Sequence, residues 1–282
     1  MKQYHQALEH VLENGEIKSD RTGVGTKSVF GYQMRFDLRQ GFPAVTTKKL
    51  AWRPMVAELL WFLEGSTDER RLAEIQHGTR DPAKTTIWTA NADSQGVALG
   101  YRNDDQVKEL GPIYGKQWRD SHGVDQISNL ITSLRHDPMS RRHLLNAWNV
   151  SEIADMALPP CHLMAQFYVN NDNELSCQLY QRSGDLGLGI PFNIASYSLL
   201  THMLAQITGL KVGDFVHTIG DAHIYLNHID AVSEQLTREI YDSPLLEMPA
   251  FTTLDELLAT SVGDYKLIGY KHHPTIHMTM AV

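Results

Sequence analysis

Residues 191 to 209, PFNIASYSLLTHMLAQITG, constrain the fold more than any other stretch of this chain. Proline stands at the start and glycine at the end, the order in which the two residues open and close a helix. Between them the sequence is apolar nearly all the way round a helical wheel. A helix without a wet face has to run through the middle of a protein. Its sequence neighbours supply the cover. CHLMAQFYV and ELSCQLYQR, joined by the polar turn NNDN, alternate as the two arms of a hairpin. After the helix, GDFVHTIGDAHIYLNHI reads as strand, turn and helix start.

The remaining elements follow the same two periods. YHQALEHVLENG sets Tyr4, Leu8, Val11 and Leu12 on one helical face and stops at Asn14-Gly15. In SVFGYQMRFDL, Phe30, Tyr32, Met34, Phe36 and Leu38 alternate, which predicts a strand with one buried face. RPMVAELLWFLEG is a short amphipathic helix ending at Gly65, with Glu58 among apolar neighbours, and VDQISNLITSLRHDP is another. The tail HPTIHMTMAV alternates like a strand. Ser66 to Gly111 is polar and loop-rich. No repeat or linker interrupts the chain. Strands and helices without a regular βαβ rhythm predict an α+β fold, a large mixed β-sheet packed with helices. The expectation is one domain over 1–282 with a small variable lobe at about 66–111.

Charge and cysteine usage narrow the partners. The formal net charge is −8, so there is no broad basic field for nucleic acid, and any anion must be held by a few arginines at one location. No run approaches the ~18 apolar residues of a membrane helix. MKQYHQALEH lacks an apolar signal core, and two cysteines in 282 residues fit a reducing compartment, so a cytoplasmic location is expected.

Cys161 follows Pro159-Pro160 at the mouth of an apolar run. Buried filler is the commoner state of such a cysteine, and a nucleophile on a stiff turn is the alternative. Adjacent side chains on a strand point apart, so His162 is not its base. Cys177, in phase with Leu175 and Leu179, reads as core. Arg21, in SDRTGVGT, could hold a phosphate or lie solvated in a turn. Arg141 and Arg142 are adjacent and cannot both serve one pocket unless they lie in a turn or reach a second subunit. YQRSGDLGLGIPFN adds Arg182 and Ser183, suited to phosphate oxygens, then Asp185 and glycines that let a flat ligand approach, Gly189 among them. Asn193 sits at the helix start, where a plain N-cap is the simpler account. His223 and Tyr225 face one way on a strand, as sugar-hydroxyl ligands or as a core contact. Fourteen histidines invite a metal, but no HExxH or CxxC spacing exists.

Taken in order, DRTGVGT, ELLWFLEGST, IWTANADS, LGPIYGKQWR, SRRHLLNAWN, MALPPCH, SCQLYQRSGDLGLGIPFNIASY, GDFVHTIGDAHIYLNH and a terminal MAV resemble the thymidylate synthase family, from about Ser19 to Val282. The resemblance implies reductive methylation of dUMP to dTMP, with 5,10-methylenetetrahydrofolate giving both carbon and hydride and leaving as dihydrofolate. It implies Cys161 as nucleophile, and Arg21, Arg182 and Ser183 as phosphate binders. Arg141 and Arg142 would come from the partner of an obligate homodimer formed through the sheet. Asn193 would read the uracil edge, and His223 and Tyr225 the sugar. Glu58, Trp88, Tyr114 and Asp185 would surround the chemistry and the folate, with Lys48, Gly189 and the closing tail Ala281-Val282 as further folate contacts. No metal, membrane or nucleic acid is implied for catalysis. Arginines around the phosphate are expected to lower the thiol pKa. The stretch 78–86 looks inserted and has no counterpart in the pattern. A pyrimidine hydroxymethylase of the same fold, a silent nucleotide- or RNA-binding protein, and a thiol hydrolase are the alternatives. Trp88 and the tail argue against the first, Cys161 and the acidic charge against the second, and the missing base against the third.

Overall fold

The computed structural model describes residues 1–19 and 23–279. In chain order the elements are α1 (Lys2–Asn14), β1 (Glu16–Lys18), β2 (Thr26–Asp37), α2 (Trp52–Glu64), α3 (Glu69–His77), α4 (Thr89–Asn91), α5 (Tyr114–Asp120) and α6 (Gln126–His136). Then come β3 (Leu144–Asn146), β4 (His162–Val169), β5 (Glu174–Asp185), α7 (Gly189–Thr208), β6 (Lys211–Tyr225), α8 (Ile229–Leu236), β7 (Leu245–Glu247), α9 (Leu254–Leu258) and β8 (Lys266–Ile268).

Six strands form one sheet in the order β1-β2-β6-β5-β4-β3. The β5–β6 pair is parallel and the other pairs are antiparallel. The sheet is therefore mixed because α7 crosses between its two central strands, as a parallel pair requires. That crossover helix packs on β5 and β6 and is buried along most of its length. Its apolar circumference is covered by the sheet on one side and by α2 and α6 on the others. α2 carries fully buried Trp61 and Phe62. Each contributes roughly 1.5–3 kcal/mol by leaving water. It stops at Gly65, whose φ of 84° is the left-handed conformation that glycine adopts without strain.

The hairpin β4–β5 is as expected, with Phe167 and Cys177 in register on the core face. On the opposite face lie Gln33, Gln166, Gln178 and Thr218, with Tyr168 63% and Met164 37% exposed. Three expectations change. Phe30 does not share the buried face of Met34 and Phe36. It is 84% exposed, next to Gly31 at φ 81°. The tail up to residue 279 forms no strand, and its alternation instead seats Ile276 and Met278 in the core from irregular chain. The 66–111 stretch is less loop-like than its polarity suggests, since α3 and α4 lie within it.

Candidate active site

The turn before β4 delivers Cys161 beside the end of β5, and Arg182 on β5 locks it there. Arg182 Nε donates to the Pro160 carbonyl at 2.8 Å and Nη2 to the Pro159 carbonyl at 2.9 Å, with Nη2 3.7 Å from the Cys161 sulfur. Its backbone N–H also donates to the Cys161 carbonyl at 2.8 Å. The guanidinium lies over the Trp148 ring. Nη1 has no protein acceptor among the described residues. The Pro-Pro-Cys turn is thus fixed by a cation as well as by its prolines.

Burial pushes the Cys161 thiol above its ordinary pKa, and Arg182 pulls it down without overcoming the burial. The expected acidic thiol is therefore not produced by this chain's own arginine. The Cys161 backbone N–H donates to the Tyr114 hydroxyl at 2.8 Å. Tyr114 stacks on His162 with ring centroids 4.1 Å apart. His162 turns inward, as alternation requires, and bonds the Tyr197 hydroxyl at 2.9 Å. Burial lowers its pKa to about 3, so it is neutral and no base for the thiol. Glu58, on α2, is raised to about 7 by burial, while the hydrogen bond from Trp88 Nε1 at 2.6 Å opposes the rise. A carboxyl in that range can both take and give a proton near neutrality.

At this same end of β5 the chain turns into α7. Asp185 Oδ1 accepts from the Gly187 N–H at 2.8 Å, and the Lys48 ammonium donates to the Gly187 carbonyl. Lys48 is buried, which lowers its pKa to about 8, with Asp185 acting the other way. A Cβ on Gly189 would meet nothing closer than 4.0 Å, at Asn193 Oδ1 and Asp185 Cβ. Asn193 is no N-cap, because α7 already begins at Gly189. Its Oδ1 accepts from Gln181 Nε2 at 3.1 Å, and Gln181 Nε2 also reaches the Ser183 carbonyl at 2.9 Å. Across the parallel ladder, Ser183 and Asp185 register with Asp221 and His223. His223 Nδ1 lies 3.0 Å from Asp221 Oδ1, and its ring meets Tyr225 edge-on at 5.2 Å.

These contacts join Cys161, Arg182, Tyr114, Glu58 and Trp88 in one group, and Ser183, Asp185, Gly189, Asn193, His223 and Tyr225 along the neighbouring strand ends. Arg141 and Arg142 are not part of either. Both are exposed in the bend before β3, and no ion pair engages them among the described residues. Arg21, Ala281 and Val282 lie outside the described residues. Gln181, Asp221 and Trp148 were missed in the sequence. Gln181 carried a signal, since it is a polar residue in phase with Cys177 and Leu179 on the core face. Among the described residues, no cluster of three or more His, Cys, Asp or Glu side chains is arranged to hold a metal, and no helix is long and apolar enough to cross a membrane.

A family model described as thymidylate synthase matches residues 2–282. The crystal structure of thymidylate synthase from T4 phage is 44% identical to this chain. The match covers 100% of both chains, with a TM-score of 0.93.

Proposed function

The chain belongs to the thymidylate synthase family and is an enzyme of the methyltransferase type, and from that premise we propose how its own residues perform the reaction. The substrates are dUMP and 5,10-methylenetetrahydrofolate, and the products dTMP and dihydrofolate. The observation that carries this reading is Cys161 on a turn clamped by Arg182, with the Tyr114 hydroxyl on its backbone N–H.

Carbon 5 of uracil is a poor nucleophile until something adds to carbon 6. The Cys161 thiolate makes that bond, leaving an enolate at carbon 5 that attacks the folate's one-carbon unit. Arg182, 3.7 Å from the sulfur, stabilises the thiolate as it forms. The raised thiol pKa keeps sulfur protonated in the resting protein, so the thiol gives up its proton before it adds to carbon 6. Glu58, with a pKa of about 7, moves protons at carbon 4 and the folate nitrogen. Tyr114 helps remove the carbon 5 proton as the bond from the one-carbon unit to the folate nitrogen breaks, which leaves an exocyclic methylene on carbon 5. The folate then donates hydride to the methylene, and Trp88 keeps water from that carbon.

Arg21, Arg182 and Ser183 hold the phosphate, with Arg141 and Arg142 reaching over from a second copy. Their exposure and the absence of an ion pair to them among the described residues suit that use, as do the exposed Tyr168 and Met164 on the open sheet face. Asn193 pairs with uracil O4 and N3–H, and His223 with Tyr225 takes the sugar hydroxyls. Asp185, Gly189, Lys48, Ala281 and Val282 serve the folate side. Residues 1–282 work as one domain, and 66–111 is a lobe beside the cleft. Mixing pure protein with dUMP and methylenetetrahydrofolate should form dihydrofolate, followed by absorbance, and Cys161→Ser should abolish it. Equal turnover by the serine variant would overturn the covalent mechanism, and a hydroxymethylated product would overturn the reductive one.

A further inference from the structure

Glu69 and Arg70, the first two residues of α3, are both fully buried and bonded to each other. Arg70 Nε donates to Glu69 Oε2 at 2.6 Å and Nη2 to Oε1 at 2.7 Å. A buried ion pair is weak evidence for stability in itself, so its other partners are informative. They all lie in one stretch. Arg70 also donates to the carbonyls of Asp81 at 2.9 Å and Lys84 at 3.1 Å. Glu69 Oε1 accepts from the hydroxyls of Thr86 and Thr89, each at 2.7 Å. The Thr86 hydroxyl in turn accepts from the Trp88 backbone N–H at 3.2 Å, and the Thr86 N–H donates to the Thr89 hydroxyl at 2.8 Å. Trp88 is therefore bracketed by two threonines that the pair holds, and its indole is the one hydrogen-bond donor to Glu58 among the described residues.

We infer that the Glu69–Arg70 pair is a positioning device for the reaction: it clasps the 81–89 segment and so holds the Trp88 indole against the Glu58 carboxyl. The inserted stretch 78–86 then has a task, since its carbonyls complete the clasp. The inference rests on Glu58 carrying protons, as proposed above. Burial would push Glu69 up, but its bonds to Arg70, Thr89 and Thr86 outweigh it and keep the carboxylate charged. Asp68 and Asp93 face Arg70 from outside the pair. Around Glu58, Tyr114 from α5 and Tyr197 from α7 are held well above their ordinary pKa by burial, and Cys161 and His162 lie beyond Tyr114. All four are neutral near pH 7, so the indole N–H is what selectively stabilises the charged carboxylate. Losing it raises the Glu58 pKa.

Thr86→Val and Thr89→Val each delete one hydroxyl and leave the ion pair and the proposed site residues in sequence. The readouts are the pH titration of the Trp88 indole N–H resonance, identified by its loss in Trp88→Phe, and the pH profile of kcat. Thr86→Val should move both midpoints up by about one pH unit and lower turnover at pH 7 by about fivefold. The dissociation constant for dUMP should stay unchanged, and Thr86→Ser should restore wild-type behaviour. Thr89→Val is read in the same way, and alone if Thr86→Val does not fold. Unmoved midpoints, or equal displacement by the serine and valine variants, would overturn the clasp while leaving the enzyme reading intact. A wild-type protein that shows the titration and its valine shift but forms no dihydrofolate would do the reverse.

Discussion

Asn193 can discriminate pyrimidines only if its amide points one way, and Gln181 fixes the direction. With Oδ1 accepting from Gln181 Nε2, the Asn193 amide N–H groups remain to donate to a carbonyl. Gln181 is itself oriented by His217, whose Nε2 lies 2.9 Å from Gln181 Oε1. Burial holds His217 neutral, with a pKa lowered to about 3, so one ring nitrogen donates while the other stays bare. Gln181→Leu leaves the Asn193 amide free to flip and His217 without an acceptor. A buried polar group left unpaired costs ~1–3 kcal/mol. We expect this variant to raise the KM for dUMP and to erode the preference for uracil over cytosine, measured by competition between dUMP and dCMP. Asn193→Asp should move the preference toward dCMP, because a carboxyl suits the opposite donor pattern. The sequence offered Asn193 through its motif, as a proposal. It left Gln181 unread because the contact that gives Gln181 a role joins a strand to the next helix.

At the scale of elements, α3 depends on its ion pair more than on its apolar face. Leu72 and Ala73 are its buried apolar residues, while Glu69 and Arg70 are buried beside them. Removing one partner strands the other charge, so Glu69→Ala should cost ~3–5 kcal/mol in urea unfolding. Glu69→Leu with Arg70→Leu should cost less than either single alanine change. It should not be free, since the carbonyls of Asp81 and Lys84 and two threonine hydroxyls lose their partners. Composition marks 66–111 as polar loop because a helix whose buried residues are charged has no apolar period to read. The hairpin β4–β5 and the helix α7 were legible for the opposite reason, as each carries its burial in its sequence. The tail behaves differently: Ile276 and Met278 alternate and are buried, yet they form no ladder.

For the whole molecule, the open face of the sheet and the exposed Arg141 and Arg142 belong together. If two copies join through that face, each site is completed by arginines of the other chain. Light scattering should then give about twice the chain mass of 31.9 kDa. Cys161→Ser and Arg142→Ala proteins, each inactive or nearly so alone, should regain activity when unfolded and refolded together. A mixed pair restores one intact site in the dimer, carrying Cys161 on one chain and Arg142 from the other. No recovery, with mixed dimers present by mass spectrometry, would mean that the arginines act within their own chain.

Apolar periodicity and turn residues were enough to set the buried crossover helix, the hairpin and the mixed α+β class, because those depend on which residues must leave water within a short stretch of chain. The motifs alone also pointed to the family. Tertiary structure decided what no local pattern encodes: that Arg182 grips the Pro-Pro-Cys turn, that burial outweighs its charge at the thiol, and that Trp88 meets Glu58. Those are balances between desolvation and contacts made across tens of residues, and they exist only once the chain has closed around them.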